Sequence, residues 1–212
     1  MDYEEFLEVK WKRYGNVKLL LDSLEASHPL RKVSVCDLDR QENIVFLSQL
    51  ESAYFFSEHD SENNRQWFDS KIHELNESSE RKAVSSILGE LRAYSMLKQS
   101  DFSEKLVCKS GKGSDFESFI KVNGREQKVL IEVNTPLGRD DEKRTTIDHG
   151  SSADGNFKTG IKEHAPFGFP EREDIDSIGS EVISKVNSIK EDEEQFSDDA
   201  INILFIDYLI GY

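Results

Sequence analysis

Two cysteines and four prolines in 212 residues leave no basis for a stapled or proline-rich architecture. Cys36 and Cys108 stand in unrelated contexts, without CxxC spacing or a nearby His, so neither a disulfide framework nor a zinc site is indicated. Both read as reduced thiols. No apolar run approaches the ~18 residues of a membrane span, and the start MDYEEFLEVKWKRYG is charged where a secretory leader would be apolar. A cytoplasmic location is therefore the expectation. Positive charge is also scarce: 27 Lys and Arg against 42 Asp and Glu give a formal net of −15. Phosphate binding normally leaves a basic footprint, so only weak nonspecific affinity for nucleic acid is expected. The acid excess is uneven. Residues 105–144 hold nine Lys or Arg against seven Asp or Glu, while Glu191 to Glu194 and Asp198-Asp199 form runs of the kind that are usually solvated faces.

A hydrophobic share of 36% with 10% aromatics is enough for one domain with a real core, or a core with a helical attachment. Apolar spacing predicts helices over 3–24, 42–56 and 63–75, with Trp11, Leu20, Phe46, Leu50, Trp67 and Ile72 buried. Residues 1–76 read as a helical N-terminal region, separated near Asn76 to Ser79 from a second unit, 77–212. The N-terminal helices are free to pack on that unit, bind a protein partner or contact nucleic acid, and the sequence does not choose.

The sharpest local signal is Asn123-Gly124 between two β-prone runs, 115–122 and 125–134, which predicts a two-residue hairpin. Val122 then faces Arg125, and counting outward sets Asp115 opposite Glu132. Strand alternation puts Phe116, Ile120, Val122, Val129, Ile131 and Val133 on one face, and Asp115, Glu117, Glu132 and Asn134 on the other. The first face reads as core and the second as a site. Facing carboxylates about 5 Å apart repel by roughly 3 kcal/mol at an effective dielectric near 20, so the pair needs compensation. A hard divalent cation would supply it, since Mg²⁺ is typically held by one or two carboxylates plus water and phosphate. The bland alternatives are a protonated carboxyl or a bulge that shifts the register.

Upstream, Val84, Ile87, Leu88, Leu91, Ala93 and Met96 recur at helical spacing over 79–97. Glu90 lies beside that stripe and follows Gly89, a small residue that lets the helix approach another backbone. Alone, such a Glu is ordinarily a solvated edge residue. A short strand is expected near 106–108, a long connection over 135–174, a helix over 177–195 and a nearly all-apolar strand over 200–210, buried on both faces and parallel to the strand of Glu132. A connection this long is usually functional or an insertion without a role. His149, His164 and Arg144 within it are candidate substrate contacts, and Lys109 and Lys112 could flank a phosphate beside the acids.

The order of helix with Glu90, short strand, Gly-Ser-Asp115 and Ile-Glu132-Val-Asn134 resembles the PD-(D/E)XK nuclease superfamily, over roughly residues 79–212. The resemblance implies an α/β, restriction-endonuclease-like αβββαβ core, a mixed central sheet flanked by helices and preceded here by the helical region. It also implies a Mg²⁺ (or Mn²⁺) site held by Asp115, Glu132 and Glu90, and hydrolysis of nucleic acid, with DNA the expected substrate and restriction or defence the expected setting. The family's Lys, which positions and activates the attacking water, is replaced by Asn134, and Gly113-Ser114 stands before the Asp where the motif name has Pro. Asn can orient a water but supplies no charge. Lys128 shares the face of Glu132 but lies about 13 Å along the strand. Lys185, beside the stripe of Ile178, Val182 and Ile189, is the better substitute, against the ordinary reading of a stripe-edge Lys that snorkels its head to water.

Gly111-Lys-Gly-Ser114 looks faintly like the end of a phosphate loop, but Leu106 stands where that motif requires Gly, and no GxSxG, HExxH or calcium-loop pattern occurs. Three readings remain: a Mg²⁺-dependent nuclease, the same fold without catalysis as a binding or scaffolding module, and an acidic mimic of nucleic acid. A homodimer is left open, since one active site cuts one strand.

Overall fold

The computed structural model describes residues 11–30, 41–111, 113–135, 172–191, 197 and 199–207. The chain begins with helices, which among the described residues include α1 (Gly15–Ser23), α2 (Gln41–Glu58), α3 (Glu62–Glu77) and α4 (Arg81–Lys98). A 3-10 turn (Ser103–Lys105) leads into β1 (Val107–Cys108), β2 (Phe116–Val122) and β3 (Arg125–Asn134), followed by α5 (Arg172–Glu191) and β4 (Ile201–Ile206). This is an α/β fold with a four-stranded mixed sheet of order β1-β2-β3-β4, antiparallel except for the parallel β3–β4 pair.

Local chemistry explains the elements that place the site. Ser61 caps α3, its Oγ accepting from Asn64 N–H, and Glu62 lies in the first turn where the helix dipole favours an acid. Asn123 and Gly124 both take positive φ, 52° and 77°, the backbone of a tight hairpin that matches strand twist. The resulting register pairs Val122 with Arg125 and runs unbroken to Phe116 opposite Ile131.

Phe116, Val129 and Ile131 are fully buried, and the Trp67 ring of α3 meets Phe116 at 5.4 Å and Tyr94 of α4 at 5.5 Å. The core continues without a break through Leu47, Leu50 and Phe68. Each such side chain contributes about 1.5–3 kcal/mol by leaving water. Asn64, buried on α3, donates to Leu106 O and accepts from Cys108 N, which docks the helix on the β1 edge. From α5, Lys185 reaches Glu132 on the other face of β3. Arg92 of α4 and Asp207, beyond β4, form a buried ion pair at 2.8 Å, with Arg92 Nε also bonded to Gln49 of α2.

Several expectations need correction. α5 begins at Arg172 rather than near 177, because the acidic first turn and Ile175 extend its pattern upstream. β4 is the last strand of the described sheet and only half-buried, with Asn202 exposed, rather than buried on both faces. Val122 and Met96, expected in the core, are exposed, the first at the hairpin tip and the second near the end of α4. Trp11 and Ile72 are partly buried, and the Phe46, Ile178 and Ile189 side chains lie outside those described. Among the described residues no helix is long and apolar enough to cross a membrane.

Candidate active site

Asp115 stands one residue before β2, where the constant register of the hairpin places it across from Glu132. Its backbone carbonyl accepts from Lys109 N (2.9 Å), and its Oδ2 accepts from Val133 N (2.7 Å). The side chain thus takes the place of the next rung of the ladder, which holds the carboxylate rigidly at the sheet end. Burial pushes its pKa up, against the lowering effects of the Val133 N–H and the charges of Lys71 and Lys185. Glu132 is buried on the same face, with Lys185 Nζ 2.6 Å from its Oε1.

Glu90 approaches from α4. Gly89 makes this approach feasible: a Cβ there would stand 2.0 Å from Thr135 Oγ1, just past the end of β3. Glu90 is pushed up to about 7, first by burial and then by the charge of Asp115, against the lowering effect of Lys71. Lys71 Nζ, from α3, lies 2.9 Å from Glu90 Oε2 and 3.2 Å from Glu74 Oε2. Burial alone would lower the Lys71 pKa, but Glu90 and Glu74 outweigh it and raise it. Burial thus disfavours the charged form of both acids, and the neighbouring ammonium groups only partly offset it.

The structure therefore brings Asp115, Glu132, Glu90, Asn134 and Lys185 to one end of the sheet, where β3 and β4 finish and β2 begins. Asn134 is half-buried at the end of β3, and its backbone carbonyl accepts from Asp207 N at 2.9 Å. Lys109 does not join the acids; it pairs with Glu117 at 2.5 Å, as Lys128 does at 3.0 Å. Lys112, Arg144, His149 and His164 lie outside the described residues, as does Cys36. Cys108 is a free buried thiol, its pKa pushed up chiefly by burial. Sequence reasoning missed Lys71. Its one signal was a charged residue in the apolar stripe of α3, between Phe68 and Leu75, a pattern that ordinarily reads as a snorkelling side chain.

The donor chemistry fits a hard divalent cation. Three carboxylates share the sheet end, the charge on Asp115 and Glu90 is disfavoured as the site stands, and among the described residues the Thr135 hydroxyl oxygen is buried without a hydrogen-bond partner. Among the described residues no three His, Cys, Asp or Glu side chains converge at metal-ligand spacing. No protein-family model, curated protein or solved structure matches the chain.

Proposed function

We propose that the chain is a Mg²⁺- or Mn²⁺-dependent nuclease built on a restriction-endonuclease-like core, hydrolysing phosphodiester bonds of nucleic acid, with DNA the favoured substrate. The observation that carries the reading is Asp115 just before β2, its Oδ2 accepting from Val133 N beside Glu132, with Glu90 charge-coupled to it. Oxygen donors of this kind suit a hard cation, which when bound would polarise the phosphate and lower the pKa of a bound water. Asp115, Glu132 and Glu90 would hold it. Asn134, at the end of β3, orients the attacking water by hydrogen bonding. Glu90 would assist through the cation or through its bound water. Lys185 supplies the positive charge that Asn134 lacks, close to where charge builds on the phosphate.

The ion pairs favour a second reading, a nuclease-fold module that binds without cutting, because Lys185 and Lys71 already offset two of the three acids. Incubation of the full chain with plasmid, single-stranded DNA and RNA in millimolar Mn²⁺ separates the two. Metal-dependent cleavage that Asp115→Asn abolishes is expected. Undiminished cleavage by Asp115→Asn would sink the nuclease reading, and absence of cleavage on all three substrates would favour the binding module.

A further inference from the structure

Lys71 belongs to the N-terminal helical region, yet its ammonium reaches a carboxylate of the sheet-end site. The placement is fixed by α3 and not by a wandering side chain. Asn64 ties the helix to Leu106 and Cys108, Trp67 packs on Phe116, and Lys71 follows on the same helical face, one turn past Trp67 and two past Asn64. Lys71 is only 17% exposed and Glu90 13%. A partly buried lysine is costly unless its partner repays the desolvation, so its presence opposite Glu90 calls for an account.

We infer that Lys71 is the built-in counter-cation of Glu90, holding that carboxylate in the metal-free protein and competing with a divalent cation for it. The N-terminal helices thereby set the metal affinity of the site. This rests on the metal-dependent reading above. Glu90, Asp115 and Glu132 bring three negative charges, and Lys71 and Lys185 two positive ones. A dication drawn to Glu90 competes with Lys71 for the same carboxylate, whose Oε2 lies 2.9 Å from Nζ. Lys71 has somewhere to go. Glu74, one turn along α3 and 48% exposed, already lies 3.2 Å from its Nζ, so the head can leave Glu90 by side-chain rotation alone.

The test is Mn²⁺ titration calorimetry on the full chain, comparing wild type with Lys71→Met, Lys71→Arg and Glu90→Gln. Removing the competitor should tighten Mn²⁺ binding about tenfold in Lys71→Met, the scale on which outer-shell groups act. Lys71→Arg, which restores the cation, should stay within about twofold of wild type, and Glu90→Gln should bind more weakly. Unchanged or weaker binding by Lys71→Met, with wild type binding normally, overturns the inference and leaves the metal reading standing. Absence of binding in wild type and every variant overturns both. Should Lys71→Met fail to fold without metal, Mn²⁺ should fold it, as read by circular dichroism. A variant that stays unfolded in saturating Mn²⁺ counts against the inference.

Discussion

Lys185 Nζ lies 2.6 Å from Glu132 Oε1, joining α5 to the third strand of the sheet across 53 residues of chain. Glu132 is buried, whereas Lys185 keeps a quarter of its surface in water, so the pair falls between a screened surface bridge and a fully desolvated one. Lys185→Met should cost about 1–2 kcal/mol in urea denaturation, and Glu132→Gln less. In the double variant much of the loss should return, giving a coupling of about 1 kcal/mol. A coupling near zero would show that the two side chains do not pair in solution. Catalysis offers a separate readout: nuclease turnover should fall on the order of 10²-fold in Lys185→Met, the usual cost of one lost electrostatic stabiliser.

Glu90 makes stability depend on pH in the direction opposite to an ordinary paired carboxylate. Its pKa rises from 4.5 in the unfolded chain to about 7 in the fold. The folded protein therefore keeps a proton that the unfolded chain gives up. The resulting stabilisation is fully present below the unfolded value and is lost as pH climbs through the folded one. Glu90→Gln carries no such proton. In metal-free buffer its stability relative to wild type should increase by on the order of 2–3 kcal/mol between about pH 4.5 and about pH 8. Urea denaturation of both proteins across that range checks the slope. A flat difference would mean that Lys71 fully offsets the burial of Glu90.

The hairpin was legible because a two-residue Asn-Gly loop leaves no freedom in the count: once Val122 faces Arg125, Asp115 must face Glu132. Gly89 was legible too, as a gap in a helix that something else fills, here the Thr135 side chain. The cations of the site were less so. Lys71 and Arg92 both sit in apolar helical stripes, and their partners Glu90 and Asp207 come from other elements, the second 115 residues away. Nothing in local spacing encodes a pairing made only by packing. β4 misled for a related reason: Ile201 to Ile206 is nearly all apolar, and periodicity alone cannot say whether a strand so composed has one neighbour or two.

Gly89→Ala tests whether α4 truly meets the end of β3. Alanine favours a helix over glycine by up to about 1 kcal/mol, so on propensity alone the variant would be more stable. The added Cβ, however, would stand 2.0 Å from Thr135 Oγ1 and 3.5 Å from Asp207 Oδ2. Overpacking of that kind typically costs about 1–3 kcal/mol, which outweighs the propensity gain. A net loss of about 1–2 kcal/mol in urea denaturation is expected. Thr135→Ala removes the clashing oxygen, and since that oxygen has no hydrogen-bond partner among the described residues, the single change should be nearly neutral. Combined with Gly89→Ala it should recover most of the loss, because the nearest remaining atom of residue 135 is Cβ at 3.3 Å. Thr135 directly follows Asn134, so Gly89→Ala should also weaken Mn²⁺ binding while the double variant restores it. If Gly89→Ala were as stable as wild type and bound Mn²⁺ equally well, α4 would not lie against the end of β3, and Glu90 could not share a site with Asp115.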